Sequence, residues 1–201
     1  KEPILINKKT ESKKYAGGIL AVANHLSTFC KSITIFSYIG EHNNELNFIK
    51  KNLKKNIKFK FIKKIHSPTI NKSRFVDNYT NNKIIGLYDL NEDQLNENNE
   101  RQFLNLLDKE IVKFDMTLVV DYDHGLITKK VAKLIQKKSK YLSLNSQLNS
   151  LNLSHYSLQK FKKADYVCIH EGELKNALQS KDVDTKSLMK QLQSKMKIIV
   201  I

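Results

Sequence analysis

The run "VVDYDHGLIT", Val119 to Thr128, closes an apolar stretch with Asp121, Asp123, His124 and Gly125. In an open α/β sheet, ligands bind beyond the carboxyl ends of the strands, so two carboxylates there stand where chemistry is usually done. The same residues also suit an ordinary strand-to-helix turn. A second run, "CIHEGEL", Cys168 to Leu174, ends another apolar stretch and sets His170, Glu171 and Glu173 at the start of a helix. Carboxylates in a first turn favour the helix dipole in any protein, so capping is the alternative there.

Two further segments offer binding rather than acid–base groups. "LNSQLNSLNLSHY", from Leu144, is dense in amides and hydroxyls, and Asn145 heads it. Such side chains supply many hydrogen bonds without charge, which fits a polyhydroxylated or nucleotide ligand, or a solvated loop. Gly17 and Gly18 precede a helical run in which Asn24 and His25 are the strongly polar interruptions. Glycines before a helix leave its unpaired N–H groups open to a polar ligand, and Asn24 suits sugar hydroxyls. A glycine pair serves equally as a tight turn that allows close packing. The sequence contains no "GxxxxGK" loop, "GxGxxG" fingerprint, "GxSxG" elbow or zinc-spaced His/Cys set.

These residues need a scaffold, and periodicity supplies one. Helical and strand patterns alternate along most of the chain, as in a largely parallel sheet covered on both faces. Ile19, Val22, Ala23, Leu26, Phe29 and Cys30 form one helical stripe. "SITIFSYIG" and "IKFKFIKK" read as strands about a helix carrying Leu46, Ile49 and Leu53. Strands "MTLVV", "YLSLN", "DYVCI" and "KIIVI" follow, with helices between them. Segments 1–15 and 67–90 break the rhythm: they are extended and polar at alternate positions, and read as a small separate sheet beside a core of 16–66 and 91–201.

The 201 residues carry a net charge of +15, which raises the possibility of a nucleic-acid partner. Only two of the cations are arginines, Arg74 and Arg101, and the lysines are spread along the chain among twenty asparagines. A-rich codons account for that surplus, and neither the arginine forks nor the interleaved aromatics of nucleic-acid binders dominate. We therefore expect no nucleic-acid partner. No apolar run reaches the roughly 20 residues that span a bilayer, so no membrane partner is expected and a cytoplasmic location is. Cys30 and Cys168 lie in apolar runs and are expected to be buried free thiols.

In this order the segments resemble the ribokinase-like (PfkB) carbohydrate kinase family. "AGGILAVANHLSTFCKSITIFSYIGE" looks like its N-terminal signature; "PTINKSRFVD", "DYDHGLIT", "NSQLNS" and "ADYVCIHEGEL" are similar to the heptose-phosphate kinase-like module of proteins that also carry a cytidylyltransferase-like domain. The resemblance implies a three-layer α/β sandwich with a β-sheet lid that often mediates homodimer contacts. It also implies transfer of the ATP γ-phosphoryl group to a sugar hydroxyl, on a heptose phosphate, with the help of Mg²⁺. It assigns sugar binding to Gly17, Gly18 and Asn24, with Asp121 at a strand end, and sugar-phosphate contacts to Lys72 and Arg74. Asn145, His170 and Glu173 would face the nucleotide, Glu173 meeting Mg²⁺ through water; His170 stands where the family's "NxxE" motif has asparagine. The family's "GAGD" motif, source of its proton-accepting aspartate, does not occur in these residues. On this resemblance the chain is expected to be an internal fragment, inactive alone, of a kinase making surface polysaccharide precursors. The rival reading is a non-catalytic sugar- or nucleotide-binding module.

Overall fold

A computed structural model describes residues 8–42, 44–147, 157–180 and 184–200. The chain begins with α1 (Ile19–Leu26), β1 (Ile33–Gly40), α2 (Leu46–Lys51) and β2 (Ile57–Lys64). A hairpin follows, β3 (Asn71–Val76) and β4 (Lys83–Asp89). Then come α3 (Glu97–Glu110), β5 (Thr117–Asp121), α4 (Lys129–Lys138), β6 (Leu142–Ser146) and β7 (Lys163–Val167). The last elements are α5 (Glu171–Leu178), α6 (Thr185–Lys195) and β8 (Lys197–Val200), with 3₁₀ turns at Ile111–Lys113 and Ser157–Lys160.

Among the described residues the parallel strands form two pieces, β1–β2 and β5–β6–β7–β8, and β3–β4 is an antiparallel ribbon. One apolar core joins the two parallel pieces: Tyr38 and Ile62 pack with Phe103, Leu107, Val119, Leu144 and Val131. A smaller core on the other face of β1–β2 sets Ala23 of α1 against Ile35 and Ile57. Strands bordered by helices on both faces are the layered α/β arrangement that the alternating pattern predicts.

Local chemistry fixes the boundaries. Asn96 caps α3 by accepting from Asn99 N–H at 2.8 Å, and Thr128 caps α4 through Val131 N–H at 3.2 Å. Each satisfies one donor that the first helical turn leaves unpaired. The Thr128 hydroxyl also donates to Glu100 at 2.6 Å, and Lys130 pairs with the same carboxylate at 2.8 Å, which ties α4 to α3.

Three expectations need correction. Residues 8–16 form no strand; lysines and hydroxyls there supply no apolar face to pair, and the segment touches the hairpin through Asn78 donating to Thr10. Residues 1–7 lie outside the described set. The first helix stops at Leu26, so the anticipated stripe is cut short: Phe29 is 77% exposed, and Cys30 is exposed as well. Cys168 is also exposed; both thiols are free as expected, but neither is buried.

Candidate functional site

The hairpin grows from the carboxyl end of β2 and lies against the carboxyl ends of the parallel strands. Two anchors hold its root. Asn99, itself buried, donates to Lys63 O at 2.8 Å and accepts from Ile65 N–H at 3.3 Å, while Gly40 N–H at the end of β1 donates to the Thr69 hydroxyl at 2.8 Å. Cross-strand pairs put Lys72 beside Tyr88 and Arg74 beside Gly86 on one face of the ribbon. Lys72 Nζ lies 5.2 Å and the Arg74 guanidinium 5.8 Å from the Tyr88 ring, so one aromatic ring lies within cation–π reach of both cations.

That face meets the loop after β5. Lys72 Nζ is 3.1 Å from His124 Nε2, and the His124 ring stacks on Tyr122 with 6.3 Å between centroids. Tyr122 in turn lies next to the glycine pair: a Cβ on Gly18 would sit 3.8 Å from its ring. Gly18, the residue preceding α1, has φ 55° and ψ −133°, a conformation that suits glycine rather than L side chains. The structure therefore brings Gly17–Gly18, Tyr122, His124, Lys72 and Arg74 into one continuous array, joining three segments that lie far apart in the sequence.

Asp121 ends β5 and is 4% exposed. Its carboxylate accepts from Asp123 N–H at 2.8 Å and from Lys160 Nζ at 3.1 Å, while Lys160 also reaches Asp123 Oδ1 at 2.6 Å. Burial pushes the Asp121 carboxyl above the usual carboxylate range, and the Lys160 ammonium pulls against it. Asp123 takes φ 56°, the turn conformation that lets its N–H reach back to Asp121.

Beneath this loop is a group that no sequence pattern marked. Lys64, 3% exposed, donates to Asn91 O at 2.8 Å and Asp93 O at 2.6 Å and approaches His124 O at 3.5 Å. Burial lowers its pKa. It pins the chain leaving the hairpin to the loop that carries His124. Lys160, Glu92 and Tyr122 likewise escaped sequence reasoning. Lys160 sits in a lysine-rich run without periodicity, and Glu92 in a polar loop.

Other anticipated site residues have structural work. Both ends of the Asn24 amide are engaged, donating to Asn52 O at 2.8 Å and accepting from Lys54 N–H at 3.1 Å, so it clamps α1 to the turn before β2. That clamp uses one N–H of the amide and one bond to its oxygen. Asn145 Nδ2 donates to Cys168 O at 2.8 Å, linking the ends of β6 and β7. His170 and Glu173 form a capping box on α5: His170 Nδ1 accepts from Gly172 N–H at 3.1 Å, and Glu173 Oε2 from His170 N–H at 2.7 Å. A cavity of about 220 Å³ opens beside them, lined by Cys168, Ile169, Glu171, Leu174, Thr185 and Met189. Asn145, His170 and Glu173 thus cluster at the β6–β7–α5 corner, separate from the Lys72–His124 array. Most of the amide-rich run, residues 148–156, lies outside the described set. Among the described residues no three His, Cys, Asp or Glu side chains converge as a metal site. These donors do not fit a directly liganded Mg²⁺.

Solved structures share this architecture. The chain superposes on ribokinase from Giardia lamblia with a TM-score of 0.65 and 14% identity, over 98% of its own length and 68% of that chain. The fold is ribokinase-like. Phosphofructokinase-2 from Escherichia coli, solved with substrates and products, superposes with a TM-score of 0.61 and 13% identity over 90% of this chain and 57% of that one. In sequence the chain is similar to the bifunctional protein HldE of a Nitratiruptor species, 26% identical over 137 residues. That match takes in 68% of this chain and 29% of HldE. No family model matches the sequence. These relatives agree with the ribokinase-like carbohydrate kinase resemblance carried by the sequence motifs. No helix among the described residues is long and apolar enough to cross a membrane.

Proposed function

We propose that this chain is the sugar-gripping part of an ATP-dependent carbohydrate kinase whose substrate is a phosphorylated sugar, a heptose phosphate used for surface polysaccharide. The observation that carries the reading is the array at the hairpin root. Lys72 and Arg74 share one ribbon face, and that face meets His124, Tyr122 and the open Gly17–Gly18 turn. Paired cations suit a phosphate, while exposed backbone and a buried carboxylate at Asp121 suit hydroxyls. Asn145, His170 and Glu173 mark the side on which ATP would lie, with Mg²⁺ reached through the nucleotide and water. The reaction belongs in the cytoplasm, where ATP is supplied.

Heptose 7-phosphate is expected to bind the 201-residue chain, and Lys72→Ala to weaken that binding roughly tenfold to a hundredfold, the range for losing a charge-assisted hydrogen bond. Calorimetric titration measures this; equal affinity in the variant removes Lys72 from the site. Because these residues hold no "GAGD" run, the chain alone is expected to release no sugar-dependent ADP in a coupled assay. Turnover would place the base within it.

A second reading, a non-catalytic sugar- or nucleotide-binding module, draws support from the capping box that occupies His170 and Glu173. Sugar binding without ADP release by the complete gene product favours it.

The outer ribbon face supports a homodimer. Phe75 pairs with Ile85, and Leu87 lies opposite Ser73; these three apolar side chains are 47%, 46% and 57% exposed. Contiguous exposed apolar surface on a two-stranded ribbon marks an interaction site. Leu87→Lys is expected to convert a dimer to a monomer in sedimentation equilibrium without lowering the melting temperature. A monomeric unsubstituted protein would dismiss the interface.

A further inference from the structure

His124 is placed to do more than support the loop. Lysine ammonium groups only donate, so the 3.1 Å approach of Lys72 Nζ requires the His124 Nε2 lone pair to accept, which puts the ring proton on Nδ1. Nδ1 faces Glu92 Oε1 at 3.4 Å, and neither atom has an aligned hydrogen-bond partner although both are buried. The imidazole is thus 7% exposed, neutral, and incompletely satisfied on its Nδ1 side. Polar atoms buried in that state are costly and call for an explanation.

Charged groups reach the ring from every side. Lys72 comes from β3, with Arg74 beyond it on the same face; Glu92 comes from the segment after β4; Asp123 and Tyr122 belong to its own loop; and Lys64 of β2 holds its carbonyl. Burial and the Lys72 cation push the imidazole below its ordinary value, with Glu92 and Asp123 pulling the other way. A charged imidazolium is therefore disfavoured until a further anion enters.

We propose that His124 is the third contact for the anionic group of the substrate: an arriving phosphate draws the Lys72 ammonium from Nε2, and the imidazole takes one proton from solvent on Nε2, keeps it, and as an imidazolium donates a hydrogen bond through it to a phosphate oxygen. This rests on the reading of Lys72 and Arg74 as sugar-phosphate contacts. The balance is simple: one proton is bound for each phosphate bound, and no covalent bond changes. A neutral sugar brings no charge to drive that protonation, so His124 discriminates for the phosphorylated form. Between the free and bound titration midpoints of His124, phosphate affinity falls up to about tenfold for each unit of rising pH.

The test is a histidine NMR titration of the full chain in saturating inorganic phosphate, and in sodium chloride of matched ionic strength. Phosphate is expected to raise the His124 midpoint by about one unit or more, as a close opposite charge does, and chloride to leave it in place. Heptose 7-phosphate should act as phosphate does. An unmoved midpoint, no phosphate binding, or a response to ATP but not to the sugar phosphate overturns the proposal. Lys72→Ala, on the hairpin, provides a check independent of any change at the buried position: it should raise the midpoint in the free protein. A complete enzyme that releases no ADP would defeat the kinase reading while leaving a phosphate-driven His124 shift intact. Phosphate bound with His124 unmoved would do the reverse.

Discussion

Replacing Lys64 with methionine is expected to lower the unfolding free energy by about 3 kcal/mol, and the melting midpoint by about 6–12 °C. Methionine fills the aliphatic path of the lysine, so the loss is electrostatic rather than steric. It strips the donor from Asn91 O and Asp93 O, and removes the ammonium near His124 O. Part-buried carbonyls left without donors carry a share of their desolvation cost, and the burial that lowers the Lys64 pKa returns only part of the lost hydrogen-bond energy when the charge is removed. Lys63→Met is the control. Its side chain is exposed, and such changes stay within about 0.5 kcal/mol. Denaturant unfolding compares the two, and equal midpoints would show that these carbonyls do not depend on Lys64.

Gly125→Ala is expected to cost more than about 3 kcal/mol. At φ +80° an added Cβ would stand 2.0 Å from Asp93 O and 2.7 Å from its carbonyl carbon. Neither strand of that contact can retreat freely, because Leu95 N–H donates to Gly125 O at 3.2 Å and Asp93 O holds Lys64 at 2.6 Å. Forcing them apart displaces the 91–95 segment and with it Glu92, so weakened phosphate binding should accompany the lost stability. Gly17→Ala, whose Cβ would meet nothing within 4 Å, should change stability by about 0.5 kcal/mol or less. Urea titration of both variants, with phosphate affinity measured alongside, decides the matter; a Gly125→Ala protein as stable as Gly17→Ala would mean the two segments are not in contact.

Both variants act at one junction, where the chain leaving the hairpin crosses the loop after β5. That junction couples the ribbon to the sheet. It explains why a hairpin with little buried surface of its own can hold Lys72 and Arg74 in register over His124.

Much of the fold was legible because burial imposes period. β2 begins and ends where "IKFKFIKK" does, and the ribbon occupies the second of the two segments that broke the helical rhythm. Periodicity misled where a terminator outweighed it: α1 stops at Leu26, with Ser27 Oγ donating to Asn24 O, and leaves Phe29 and Cys30 in solvent. The site was legible in part. Asp121 and the glycine pair stand out because strand ends and helix starts expose backbone chemistry whatever the tertiary context. Asn24 looked equally suitable, and its amide also clamps the backbone of the turn before β2, which a linear pattern cannot reveal.

By itself the sequence determined the alternating α/β layout, the separate ribbon, and the strand-end positions of Asp121 and of His170 and Glu173, because hydrophobic period and capping preferences act over a few residues. Only the tertiary structure decided that Lys72 meets His124, that Lys160 bridges Asp121 and Asp123, and that Lys64 is buried among carbonyls. Those pairings span 27 to 60 residues. A charge's partner over such a separation is set by where packed elements bring the chain back, and no local preference encodes that return.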